Sequence, residues 1–217
     1  MDSPSFSATI ILQRGARLLA QIFIVFALLT STSQVLASET EKAHLSEPSI
    51  TINKVLDYQQ DKKLLIDSES TFNLPETISE AIRHEVPLSF KIQIELLETS
   101  KILGFNVQRK RKSVEFHNEL YASGVNRLYV LFNTRNHKVQ TFKNLDEALS
   151  TLSTLEDFPI ASLSELHPGQ RYTLRMRIKL DIWKLPAPVL IEALLTDKWL
   201  LDSQWYETTL KTPLSWQ

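Results

Sequence analysis

Two stretches of strict alternation constrain this fold more than anything else in the chain. Leu88, Phe90, Ile92, Ile94 and Leu96 alternate with Ser89, Lys91, Gln93 and Glu95. Tyr172, Leu174, Met176, Ile178, Leu180 and Ile182 alternate with Thr173, Arg175, Arg177, Lys179 and Asp181. A period of two held this long belongs to extended chain with one dry face and one wet face. Antiparallel sheets read this way, whereas parallel sheets, covered on both sides, read as continuous apolar runs. Two such strands need other dry faces to pack against, so the rest of the chain must supply further sheet or helix.

Weaker signals fill in the rest. Ile50 and Ile52, then Leu64, Ile66 and Phe72, predict two strands joined as a hairpin around Tyr58–Lys62. Pro75 suits the first turn of a short helix whose apolar face carries Leu74, Ile78, Ala81 and Ile82, and Pro87 bars its continuation. Phe105 and Val107 start a strand that carries Arg109-Lys110-Arg111-Lys112. Val114 and Phe116 resume apolar character in the opposite phase, so a bulge or a turn lies between. Leu128, Val130 and Phe132 predict a strand, a turn follows at Thr134–His137, and Val139 with Thr141 predicts the next strand. Asn144 with Glu147 has the spacing of a capping box, ahead of a helical stripe of Leu145, Ala148, Leu149, Leu152 and Leu155 that Pro159 stops. His167-Pro168-Gly169-Gln170 reads as a type II turn. After the interruption at Leu185-Pro186-Ala187-Pro188, residues 189–195 and 199–206 read as a last hairpin. With about eight to ten strands and two short helices on this reading, the expected fold is mainly β. It is an antiparallel two-sheet β-sandwich resembling an immunoglobulin-like architecture, with an α+β sheet as the alternative.

The first 37 residues have the order of an export signal. Arg14 and Arg17 precede an apolar run from Leu18 to Thr30, and Val35-Leu36-Ala37 offers a small-residue cleavage site. The run is shorter than the roughly 20 residues of a spanning helix. The expectation is a periplasmic protein with residues 38–47 as a flexible lead-in, 48–210 as one domain and 211–217 as a tail. The alternative is an uncleaved leader anchoring the same domain to the inner membrane, the only contact with a membrane this reading requires. Cysteine is absent, which removes disulfides, thiolate metal sites and lipid attachment at a mature N-terminal Cys. Losing Asp2, Arg14 and Arg17 takes the formal charge from −1 to −2. That balance argues against a nucleic-acid partner. The chain has 4 glycines, of which Gly124 and Gly169 look placed for turns, so no Gly-rich phosphate loop is expected.

The order of certain segments is familiar. Leu74-Pro-Glu-Thr-Ile-Ser-Glu-Ala81-Ile82 runs into Val86-Pro87-Leu88. Arg127-Leu-Tyr129 is followed by Phe142-x-Asn-Leu145-x-x-Ala148-Leu149. Tyr172, Leu180-Asp181, Leu185-Pro186-x-Pro188, Trp199 and Ser203-x-Trp205 close the series. Together, over roughly 48–208, they resemble the bacterial DUF4390 family of exported proteins of unknown function. The resemblance implies no assigned chemistry and no catalytic residue. It implies an envelope two-component sensor kinase of the nitrogen-regulation type as a candidate partner, because members are often encoded near one. Family members usually carry Gly before the strand that opens at Pro87-Leu88, where this chain has Glu85.

Candidate sites are few. The 5 histidines, His44, His84, His117, His137 and His167, show no metal-ligand spacing, and no metal or other cofactor is expected. His84-Glu85 are neighbours at a helix end, where they do not face each other. No serine sits in a nucleophile-elbow or S-x-x-K arrangement. Glu115, Glu119 and Asp181 are the carboxylates open to glycan chemistry, which depends on their separation. Arg109, Lys110, Arg111 and Lys112 form the densest charge cluster. On a strand it reads either as a guard on an exposed edge or as a contact for an acidic protein surface, anionic lipid or cell-wall polymer. Of Trp183, Trp199, Trp205 and Trp216, the pair Trp199 and Trp205 reads as core on one strand face, and Trp183 as the outward, contact-forming one. The expected function is a non-enzymatic interaction module, with a lipid-handling or envelope assembly factor and a cell-wall glycan hydrolase as the alternatives. The oligomeric state is left open.

Overall fold

The chain divides into two units, 1–45 and 46–217, and the computed structural model describes residues 49–210 of the second. The expected leader and lead-in, the tail and Trp216 lie outside the described residues.

Strands β1 (Ser49–Gln60) and β2 (Lys63–Asn73) form the first hairpin. They meet at a tight two-residue turn in which Asp61 and Lys62 both take positive φ, a sharper corner than the five-residue link expected. Strands β3 (Leu88–Ile102), β4 (Phe105–Ser123), β5 (Leu128–Asn133) and β6 (Val139–Phe142) follow as one meander. Strands β7 (Thr154–Ser162), β8 (Arg171–Leu180) and β9 (Tyr206–Thr209) complete the set. They make two antiparallel sheets, ordered β1-β2-β7 and β6-β5-β4-β3-β8-β9.

The alternating pattern does what it implies. Phe90, Ile92, Ile94 and Leu96 lie opposite Leu180, Ile178, Met176 and Leu174. All eight are buried in one cluster with Ile50, Ile52, Leu64 and Ile66 of the small sheet. Aromatic contacts tie the two layers together: Phe72 meets Phe90 edge-on at 5.4 Å, and Phe116 stacks on Phe158 at 5.2 Å. The fold is mainly β, with two facing sheets, as expected.

Helix α1 (Glu76–Arg83) starts after Pro75 and buries Ile78 and Ile82. Its end explains the Glu85 departure. Val86 N–H donates to Ala81 O and Glu85 N–H to Ile82 O, the paired bonds of a Schellman motif, which place Glu85 at φ +64. Glycine fills such a position without strain, whereas glutamate does not. The Glu85 carboxyl in turn lies where a Cβ on Gly124 would be. Helix α2 (Leu145–Leu152) is capped as the sequence implies, with Asn144 Oδ1 accepting from Glu147 N at 2.8 Å. Gly169 takes φ +76 in the turn that leads into β8.

Four expectations are corrected. Leu155 is not on α2: the helix ends at Leu152 and β7 follows, with Pro159 inside it. Proline is tolerated there because β7 is an edge strand. The last hairpin is instead helix α3 (Ala187–Leu195) followed by a 3-10 turn, Asp197–Trp199. Pro188 stands in its first turn, and the unbroken run of Leu, Ile, Glu and Ala favours helix over the alternation a half-buried strand needs. Trp199 is therefore buried from a 3-10 turn, while Trp205 stands half-buried just before β9, so the two share no strand face. Finally, Gly104 joins Gly169 as a glycine at positive φ, in a turn the sequence reading did not place.

Candidate functional site

The basic cluster sits on β4, where β4 leaves the body of the protein. β8 stops accompanying β3 at the pair Thr99–Arg171, and β5 joins β4 only from Asn118 onward. Beyond Thr99 the β3–β4 hairpin continues alone as a two-stranded arm in which every residue from 101 to 110 is exposed. The register slips between Leu96 and Leu97, which face Lys112 and Lys110, so Arg111 is the extra residue of a bulge. That bulge divides the cluster. Lys110 pairs with Glu95, which also receives Arg175 Nε at 2.7 Å. Arg111 Nε lies 2.5 Å from Glu98, and Lys112 Nζ 2.9 Å from Glu165. Both faces of the strand carry charge, as alternation requires. Arg109 makes no ion pair among the described residues.

Glu95 and Glu98 are buried despite their charge, and their partners explain how. Burial pushes the Glu95 pKa up, but hydrogen bonds from Lys110 and Arg175 outweigh it and hold the carboxyl below its ordinary range. Arg175 also lies over the Trp205 ring at 4.5 Å. Glu98 receives Arg111 on one side and approaches His167 Nδ1 at 3.1 Å on the other. The root of the arm is thus clamped by ion pairs, while its end is bare.

That bare end is apolar, a feature the charge cluster hid in the sequence. Phe105 and Val107 look like the start of a buried strand, yet both are exposed, as are Ile102 and Leu103. The available signal was length: β3 and β4 run 15 and 19 residues beside a 10-residue β8, so one end of the hairpin outruns its neighbours.

Trp183 is 72 % exposed, as expected, but not from a strand: β8 ends at Leu180, and Trp183 lies in the 3-10 turn Ile182–Lys184 just ahead of α3. Helix α3 buries Ala193 but exposes Ile191, Leu194 and Leu195, and Leu200 is exposed just beyond.

The polar groups are distributed more quietly. Among the described residues, no cluster of three or more His, Asp or Glu side chains could hold a metal ion. Two histidines meet carboxylates among the described residues: His167 Nδ1 lies 3.1 Å from Glu98 Oε1, and His117 Nε2 lies 3.2 Å from Asp181 Oδ2. The Ser89 hydroxyl is buried and makes no hydrogen bond to either pair. Glu115 is occupied by Lys91 and Gln93, and Glu119 by Lys184. A polar cleft of about 500 Å³ opens between the β5–β6 loop, α2 and β7, lined by Asn118, Asn133, Asn136, Gln140, Ser150 and Thr154 among others. His84 caps the end of α1.

A family model described as "Domain of unknown function (DUF4390)" matches residues 47–209. No curated protein and no solved structure matches the chain.

Proposed function

The chain belongs to the DUF4390 family, and from that premise and its surface we propose that it is an exported envelope protein that works by binding a partner rather than by catalysis. The observation that carries this reading is the apolar surface of Trp183 and α3. A helix apolar on all sides is expected to be buried on all sides. Here one side is buried, and Ile191, Leu194 and Leu195 are exposed, with Trp183 exposed in the turn that precedes the helix. Exposed apolar side chains gathered on one short stretch of chain mark protein contacts, and tryptophan is among the side chains that dominate their energetics. The signal-like first 37 residues support a periplasmic location. An inner-membrane sensor kinase is the partner class that the family resemblance favours.

The test is a photo-crosslinking amino acid at position 183 in living cells. The expected result is one specific adduct with an envelope protein, lost when Leu195→Ser and Ile191→Ser are added. Val125, 94 % exposed in the β4–β5 turn, is the matched control. A position-183 probe that captures nothing beyond what a position-125 probe captures refutes the proposal. The alternatives have less support. Among the described residues, the void lined by Ser68, Ile92, Phe116 and Met176 of the two sheets is about 20 Å³, far too small for a lipid chain. The polar cleft is the foothold of the glycan reading among the described residues, and absence of clearing on cell-wall substrate in zymography would end it.

A further inference from the structure

We propose that the β3–β4 arm is a wedge that enters an anionic lipid surface. This rests on the reading of the chain as an exported binding protein, and assigns a second contact class to a site separate from the Trp183 surface.

Three observations converge on it. The first is shape and polarity. The pairs Ile102–Phe105 and Ser100–Val107 place Ile102, Phe105 and Val107 on one face of the ribbon, all exposed. From Thr99 the arm runs three more residues before its turn, roughly 10 Å at about 3.3 Å per residue. Interfacial segments bury apolar groups to about 5–10 Å. A two-stranded ribbon with open edges cannot go deeper, because its unpaired backbone groups need water or headgroups.

The second is the apex. Leu103 and Gly104 form a two-residue turn with φ +51 and +85, the geometry for which Asn-Gly is the favoured pair. Leucine is strained there, and at 94 % exposure it gains nothing from burial within the protein. A strained, fully solvated leucine at the outermost point of a projection is explained by a greasy surface outside the molecule.

The third is charge. No acidic residue occurs between Glu98 and Glu115, and Lys101 and Arg109 on the arm make no ion pair among the described residues. Cations behind an apolar tip match the layering of an anionic bilayer, with headgroups outside and acyl chains within. Each such cation near the surface strengthens attachment by roughly fivefold.

The absence of cysteine allows a clean test on the full chain, since Leu103→Cys and Val125→Cys each give one labelling site. Val125 lies past the far end of β4, so it reports any attachment that does not involve the arm. With an environment-sensitive dye, the label at 103 is expected to shift to the blue and be quenched by nitroxide lipids on phosphatidylglycerol vesicles. Phosphatidylcholine vesicles should produce a much weaker response, and the label at 125 should stay aqueous even if the leader binds lipid. Adding Lys101→Glu and Arg109→Glu should raise the lipid concentration at half-response by at least about 30-fold. Both side chains are exposed, and a melting curve confirms that this variant folds. An aqueous label at 103 on anionic vesicles overturns the proposal, as does an equal response at 125 or indifference to the charge reversals. A shift at 103 that requires envelope protein instead of lipid also overturns it, and leaves the partner-binding reading standing, since that is read at position 183.

Discussion

Replacing Leu103 by asparagine should make the protein more stable. A non-glycine residue in the left-handed region costs roughly 1–2 kcal/mol, and asparagine recovers part of this through local hydrogen bonding. Leu103 sits at φ +51, so the relief applies. The usual counterweight, lost burial, is nearly absent at 94 % exposure. The expected gain is about 0.5–1 kcal/mol, or a rise in melting temperature of roughly 1–4 °C for a domain of this size. Urea denaturation followed by circular dichroism, with the slope unchanged, measures it directly. Val125→Asn is the internal comparison: Val125 is equally exposed but does not take positive φ, so its substitution should stay within about 0.5 kcal/mol of zero. If Leu103→Asn destabilises the protein, or if both substitutions stabilise it equally, the strain argument for the arm fails. Greater stability together with loss of lipid contact would mean that the native residue serves something other than the fold.

Two further outcomes follow from the ion pairs and the helix end. Glu95→Gln should cost about 1–3 kcal/mol at pH 7, because Lys110 and Arg175 lose their shared counter-charge. The native Glu95 pKa is depressed, so its contribution is fully present above the ordinary carboxylate range and fades as pH falls through the folded value. The gap between wild type and Glu95→Gln in urea titrations should therefore close below about pH 4, and a gap independent of pH would contradict the assignment. Gly124→Ala should cost little, under about 1 kcal/mol, in the native background and less still in Glu85→Gly, because the atoms nearest the added methyl belong to the Glu85 carboxyl, the movable end of an exposed side chain. A double-mutant cycle with zero coupling would show that the two positions do not touch.

Much of the architecture is legible in the residues. Alternation at 88–96 and 172–180 marks inner strands of the large sheet because one buried face imposes period two, although the pattern reads on to Ile182, where the chain has already turned. The Asn144 cap and the His167–Gln170 turn are local chemistry, so they read correctly from four residues apiece. The failures have a common cause, which is tertiary context. Pro159 looks like a stop but sits in an edge strand. Residues 189–195 are apolar without a period, and only packing on one side decides between helix and strand. Of the candidate contact residues, Trp183 is exposed, though from a 3-10 turn and not from the outward phase of a strand. Arg109 to Lys112 look like one patch but are divided by the bulge, which sends Lys110 to Glu95 and Arg111 to Glu98 on β3 and Lys112 to Glu165, beyond the hairpin. The apolar tip was hidden for the same reason: alternation announces two faces, and only the neighbouring strands decide whether either is covered.

The extra residue at Arg111 governs more than one side chain. Downstream of it, the even-numbered positions Val114 and Phe116 align with Ile94 and Ile92, while upstream of it the odd-numbered Phe105 and Val107 align with Ile102 and Ser100. Pairing the full strand straight through, with Arg111 opposite Leu97, would move the outer half of β4 by one step and set Val107 opposite Lys101, on the side away from Ile102. Neither side of the projection would then be distinctly oily. The skipped residue is therefore what keeps Val107 beside Ser100 and Phe105 beside Ile102, while the packed interior of the domain stays in register.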